Sequence, residues 1–393
     1  MLRLFAALCL TSGLSAQTIT IAPAPVDRAA LVVRAKVAQA IGDVISAKDS
    51  SGHEYALQAE DDQTSTFVVG FIPANATTTL KVAKLASAKP PAVKVGPGED
   101  GLMISINGKE ALNFRTNKDK KPRADIKPEI LRAGYLHPVR SPSGAVVTGD
   151  YPSDHVHHHG IWTPYTKASF QGRATDFWNM HLKKGEEQLH AVGRQWSGEV
   201  HGGFEAELHM NDLSGSTPIT ALYDRWSVKA YVVSHAPKAI QVFDLTTTQT
   251  CATDSPLELP EYHYGSFGLR GPDQWNGVDG ARFLTSEGIT DRKKGEGTRA
   301  RWCYLGGKTE AGLSGTAVLG FPENFRFPTP LRLHPNMPYF SIVPQKLGAF
   351  TIEPGKPYVT RYRFVVTDGE PDAKLFEACW NSLAYPAVSS VAR

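Results

Sequence analysis

The chain has 393 residues and a formal net charge of +3, with 42 Lys and Arg interspersed among 39 Asp and Glu. There is no basic stripe for nucleic acid and no acidic tail, so partners of neutral or mild charge are expected. The length allows a sizeable core and suits one large domain with a small companion better than a single compact unit.

Residues 1–16 read as a cleavable export signal, with Arg3, an apolar run from Leu4 to Leu10, and Ser12, Gly13, Ser15 and Ala16 ahead of Gln17. No later segment approaches the roughly 20 consecutive apolar residues of a membrane span, so a secreted or periplasmic protein is expected. Residues 17–86 alternate apolar and polar positions in short runs such as Leu31–Val37, Thr66–Phe71 and Thr79–Val82, with a turn at Asp49–Gly52. This pattern predicts a small β-sandwich module. Residues 87–98, with Pro90-Pro91 and Gly96-Pro97-Gly98, have the composition of a linker.

A large domain is expected over residues 99–385, followed by a tail at 386–393. It opens with a hairpin from Leu102 to Leu112, whose Asn107-Gly108 suits a type I′ turn. Further strand patterns fall at Phe204–His209, Tyr223–Val233, Ile240–Thr248, Gly265–Leu269, Arg301–Leu305, Thr316–Phe321, Tyr339–Val343 and Tyr358–Thr367. Only Asp372–Leu383 has helical spacing, through Leu375, Phe376, Cys379, Trp380 and Leu383. The expected class is therefore all-β: a large antiparallel β-sandwich preceded by a small β-sandwich, with a short C-terminal helix. Beyond the signal, Cys251, Cys303 and Cys379 are too few for a disulfide framework; they make one bridge or are buried thiols.

The densest chemistry lies at Asp154-His155-Val156-His157-His158-His159-Gly160-Ile161-Trp162, followed by Asp176-Phe177-Trp178-Asn179 and His181. In an extended chain His155, His157 and His159 would share a face while His158 points away, and three imidazoles on one face are candidate metal ligands. Flanking Pro152, Ser153 and Pro164 favour a loop at the mouth of a sheet instead. No cofactor is required by the sequence, and a divalent metal is the one these histidines would accept. Trp162 and Trp178 are candidate stacking platforms for a sugar ring, set against a core role for the aromatics. A third segment runs from Glu261 through Tyr262 and His263 to Arg270, where Glu261 and His263 would share a strand face as an acid and base pair. In the fourth, Arg326 stands between Phe325 and Phe327 in a Pro-rich loop, able to grip a carboxylate or to pin the loop. Gly96–Gly101 matches a dinucleotide fingerprint by letter only, because no helix follows it. HExxH and GxSxG are absent from the sequence.

Taken in order, Tyr135-Leu136-His137-Pro138-Val139, Ser141-Pro142-Ser143-Gly144, the Asp154 to Trp162 run, Asp176-Phe177-Trp178, Ser286-Glu287-Gly288, Arg299-Ala300-Arg301-Trp302, Phe325 to Pro330 and Arg361-Tyr362-Arg363 resemble a bacterial family of secreted proteins. That family carries the label methane oxygenase PmoA-like, and the resemblance covers about residues 100 to 385. Its Asp-His-Pro-His-His-Arg-Gly stands here as Asp154 to Gly160, with Val156 for Pro and His159 for Arg. The label implies a membrane copper enzyme, an activity not carried over to a chain without a span after its signal. The strand pattern is more loosely similar to the β-supersandwich of aldose mutarotases, some polysaccharide lyases and some glycoside hydrolases, which implies carbohydrate chemistry by analogy of fold.

The expected function is a secreted carbohydrate-active enzyme that cleaves a glycosidic bond, as hydrolase or lyase, in a polysaccharide or oligosaccharide. His155, His158 or His263 would serve as base and Asp176 or Glu261 as acid, with Trp162, Trp178, Tyr262, Arg270 and Arg326 binding the carbohydrate. A non-catalytic glycan-binding protein and a metal-dependent oxygenase are the alternatives. The enzyme reading requires the segments carrying the His run, Asp176, Glu261 with His263, and Arg326 to meet in one cleft.

Overall fold

The computed structural model describes residues 17–37, 45–61, 63–84 and 90–392; the export signal expected at 1–16 and part of the expected linker lie outside them. Alternation along the long strands builds the main core. On His201–Asp212, Phe204, Ala206, Leu208 and Met210 are buried, whereas Glu205, Glu207 and His209 turn outward. This strand belongs to an eight-stranded antiparallel sheet ordered Gly185–Trp196, His201–Asp212, Ile219–Tyr231, Ile240–Cys251, Tyr358–Asp368, Gly312–Gly320, Trp302–Thr309 and Ala281–Thr285. A nine-stranded sheet packs against it, ordered Arg299–Ala300, Thr329–Leu333, Tyr339–Ile342, Phe267–Arg270, Ile161–Trp162, Tyr135–Val139, Lys109–Arg115, Gly101–Ile106 and Val93–Gly98. Phe114, Leu136, Ile161, Leu269 and Phe340 of the second sheet meet Phe204, Leu208, Val228, Leu245 and Phe364 of the first in one cluster. The protein is thus all-β, as expected, with a large antiparallel sandwich at its centre.

The period of two then assigns the opposite face of the nine-stranded sheet. Ile161, Leu269 and Phe340 point into the sandwich, so their neighbours Trp162, Gly268, Arg270, Tyr339 and Ser341 point out of it. That outer face is the floor on which the site is built.

Glu261 and His263, expected on a strand, precede the strand Phe267–Arg270, and two segments not expected as strands are strands. Val93–Gly98, expected as linker, pairs with Gly101–Ile106 as the edge of the nine-stranded sheet. Pro97 is tolerated there because an edge strand leaves one side unpaired. Ser389–Ala392, expected as tail, pairs with Thr18–Ile21 and completes a seven-stranded sheet ordered Arg28–Ala35, Ser65–Ile72, Glu54–Ala59, Ile45–Asp49, Thr78–Lys84, Thr18–Ile21 and Ser389–Ala392. Its two ends also approach each other, Ser389 Oγ donating to the Arg34 carbonyl at 2.6 Å. Ile19, Leu31, Val33, Ile45, Phe67 and Leu80 fill the interior of this module.

The hairpin turn at Asn107-Gly108 has φ of 51° and 78°, as a type I′ turn requires. The helix spans Ala373–Ala384, capped by Asp372, whose side chain accepts from the Leu375 amide. Phe376, Cys379 and Leu383 pack it onto the eight-stranded sheet beside Ala29 and Ala30 of the N-terminal module. Arg363 pins the same junction. Its guanidinium donates to both Asp244 oxygens, at 2.8 and 2.9 Å, and to the Ala30 carbonyl at 3.1 Å. Cys251, Cys303 and Cys379 are free thiols. Among the described residues no helix is long and apolar enough to cross a membrane.

Candidate functional site

The His run is a loop, and its turns undo the alternation expected of a strand. The His158 amide donates to the His155 carbonyl at 2.8 Å, and the Tyr151 amide donates to the His158 carbonyl at 3.0 Å. His155, His157 and His158 therefore gather on one side, with ring centroids 4.8 to 5.6 Å apart. His159 turns the other way into the protein, its Nδ1 2.9 Å from Asp150 and its ring between Tyr135 and Tyr151. The trio His155, His157 and His159 expected as metal ligands does not converge.

Behind the loop lies an aromatic layer. Trp162 and Trp178 are fully buried, with ring centroids 4.5 Å apart. They close over Gly268, where a Cβ would lie 2.7 Å from Trp178 and 2.9 Å from Trp162. The absent side chain leaves room for both indoles against the sheet, and neither is open to stack on a sugar. This corrects the substrate-binding role expected of both. Arg270, also expected to bind substrate, is fully buried and donates to Asp154, Asp273 and Asn276 at 2.9, 3.2 and 3.0 Å. It anchors the start of the His loop.

Above this floor opens a cavity of about 370 Å³ lined by His155, His157, His158, Asn179, His181, His263, Tyr264, Arg332, His334, Met337 and Tyr339. Three of the four segments named from sequence contribute to it. The fourth does not: Arg326 donates to the carbonyls of Pro344, Gly348 and Ala349 at 2.8, 2.6 and 3.0 Å, so it pins its loop. The space is taken by the end of the strand Thr329–Leu333, which brings Arg332, and by the turn after it, which brings His334. Sequence reasoning missed this segment. Its signal was a basic residue and a histidine two apart at the end of a strand, followed by Pro335, Asn336 and Pro338.

The carboxylates expected as acids stand outside the lining. Asp176 accepts from the Trp178 and Asn179 amides and, at 2.8 Å, from Asn179 Nδ2. That amide also donates to the Tyr264 hydroxyl at 3.4 Å, so Asp176 orients Asn179 and Asn179 orients Tyr264. Glu261 is exposed, away from the cavity, and His263 sits exposed at the rim. Tyr262 is half-buried beside both. Its ring lies 4.5 Å from that of His263, and burial pushes its hydroxyl up to about 12. It does not line the cavity, whereas Tyr264 does.

The imidazoles of the interior are uncharged at neutral pH. Burial lowers His157 to about 3, with His181 and His155 adding to the effect. His158, against Tyr339 and Trp162, is lowered well below its ordinary value by burial. His334 falls to about 4 through burial and then Arg332. Its Nδ1 accepts from the Asn336 and Met337 amides, which puts the proton of the neutral ring on Nε2. The unfolded chain takes up protons at about pH 6.5, while these folded sites resist until pH 3 to 4. Stability conferred by the neutral rings is complete above pH 6.5 and is lost as pH falls toward 4. The melting temperature is expected to drop steadily from pH 7 to about pH 5, and less steeply in His334→Gln. Scanning calorimetry across that range checks it; equal slopes for the two proteins would contradict the assignment.

The sequence model of a family described as a family of unknown function (DUF6807) matches residues 102–381, the large sandwich and its helix. No curated protein matches the chain.

Proposed function

Because the chain belongs to the DUF6807 family, whose function is unknown, the site must carry the reading, and we propose an exported polysaccharide lyase acting by β-elimination on a uronate-containing glycan. One observation carries this: six imidazoles, Tyr264 and Arg332 line one cavity, and no carboxylate of the described residues lines it. Hydrolysis ordinarily uses two facing carboxylates, whereas elimination needs a neutral base, an acid and a cation for the substrate carboxylate. The looser likeness to a supersandwich found among carbohydrate enzymes is consistent with it but carries no chemistry.

Each step falls to a residue of the lining. Arg332, held at 3.2 Å by Glu296, pairs with the uronate carboxylate and draws charge from the adjacent C5–H bond. His158 takes the C5 proton. Its Nδ1 is buried without a partner, and its ring is fixed by Tyr339 at 4.8 Å. The C–H electron pair forms the C4–C5 double bond, the C4–O4 bond breaks, and the Tyr264 hydroxyl protonates the leaving oxygen. Asn179, donating to that hydroxyl, leaves the phenolic proton free for transfer. Burial keeps His158 uncharged, with His157 and Arg270 adding to the effect. A bound carboxylate adds the negative charge that raises its proton affinity when it is needed.

Incubating the full chain with a panel of neutral and uronate-containing glycans tests the reading. New unsaturated non-reducing ends on uronate substrates are expected; saturated products would assign a hydrolase, and no product on any glycan would remove the enzyme reading. Arg332→Gln is expected to raise KM for a uronate oligomer by about 30-fold or more, the order of one charge-assisted contact. Steady-state kinetics check this against a neutral oligomer, on which the variant should bind as the parent does.

A further inference from the structure

On the outer face of the eight-stranded sheet, remote from the cavity lining, the pairing of two strands contains an irregularity. Leu189 pairs with Leu208 and Ala191 with Glu207, so His190 is an extra residue bulged between them. The bulge turns Ala191 outward opposite Glu207, and the alternation that points Leu189 inward sends His190 to the outer face. There it stacks on His209, with ring centroids 4.1 Å apart and planes inclined by 11°. Glu207 and His209, two apart on one strand, share that face. His209 Nε2 lies 3.0 Å from Glu207 Oε1, while Arg225 donates to the other oxygen at 3.1 Å. Among the described residues, His190, Glu207 and His209 form the group whose ligand atoms all come within 4.8 Å of one another.

We infer that His190, Glu207 and His209 form a binding site for a zinc-class divalent cation. Two imidazoles and one carboxylate are the donors such an ion prefers, and three protein ligands leave a position open. Glu207 and His209 chelate from one strand. His190 is exposed, so its ring is free to rotate about its side-chain bonds and aim at the same point. Arg225 orients the carboxylate from behind, as an outer hydrogen-bond partner of a metal ligand does. The open position faces a groove of about 680 Å³ lined in part by Glu205, Arg225, Thr246 and Thr248, so the ion would meet solvent or a ligand oxygen there. The cavity histidines, more numerous, lack this convergence.

Calorimetric titration of metal-stripped full chain with Zn²⁺ alone tests the site. One tight equivalent is expected, weakened at least 100-fold both in the double variant His190→Ala with His209→Ala and in Glu207→Gln, which keeps the side-chain shape. It should persist in the cavity variant His155→Ala with His157→Ala, and affinity should fall as pH drops and protons compete for the imidazoles. Circular dichroism establishes that each variant folds. No tight equivalent in the parent, or one that survives in Glu207→Gln, overturns the inference. So does an equivalent that disappears only with the cavity histidines.

Discussion

His158→Gln is expected to lower elimination activity on uronate glycans by about 10²- to 10⁴-fold, the usual span for removing a positioned general base. Gln retains hydrogen-bonding groups and fills much of the same space, but cannot accept the C5 proton at neutral pH. The loss should fall on kcat, since Arg332 still holds the carboxylate and Tyr264 still faces the leaving oxygen. His263→Gln is the matched control. His263 also lines the cavity but sits exposed at its rim, and the same change there should cost only a few-fold. Comparable losses in both variants would move the base away from His158, and a His158→Gln enzyme within tenfold of the parent would refute the assignment.

Arg363→Ala is expected to destabilise the protein by about 3–5 kcal/mol, because it leaves Asp244 without the partner that offsets its removal from water. The pair is nearly inaccessible, with 4% and 15% of the two side chains exposed. The same guanidinium also donates to Ala30, so its loss loosens the contact between the N-terminal module and the sandwich. Lys at this position reaches only one oxygen at a time and should recover little. Urea unfolding of Arg363→Ala beside Arg225→Ala measures the contrast. Arg225 makes an exposed ion pair, 71% accessible on the arginine side, for which a change below about 1 kcal/mol is expected. A similarly small cost for Arg363→Ala would show that the buried pair does not tie the two parts together.

The fold class was legible because long strands keep strict alternation. Ile219–Tyr231 and Ile240–Cys251 bury every second residue over most of their length, and such a pattern has few other solutions. The helix, with apolar residues at helical spacing behind an acidic cap, was equally clear. What sequence hid was direction. Alternation put His155, His157 and His159 on one face and His158 on the other, yet one turn sends His155, His157 and His158 toward a cavity and His159 into a packed aromatic layer. Trp162 and Trp178 carried the composition of a sugar platform, but Gly268, far along the chain from both, supplies the space that buries them. Arg270 and Arg326 read as ligand grips; the structure spends their donors on Asp154 and on loop carbonyls. Composition hid the strand at Val93–Gly98, whose Pro and Gly content resembles a linker until its edge position explains it. Arg332 and His334 went unnoticed because two residues at the end of a strand and the start of its turn make no pattern of their own.

The strand Ser389–Ala392 has a consequence for how the molecule is made. It joins Thr18–Ile21 across more than three hundred and sixty residues of intervening chain. As the polypeptide emerges from the ribosome, Thr18–Ile21 has its other neighbour, Thr78–Lys84, long before this one. Until synthesis passes Ala392, that strand has one edge of amides and carbonyls without its partner strand. A helper that covers exposed strand edges would find its client at Thr18–Ile21, a strand made long before its second neighbour.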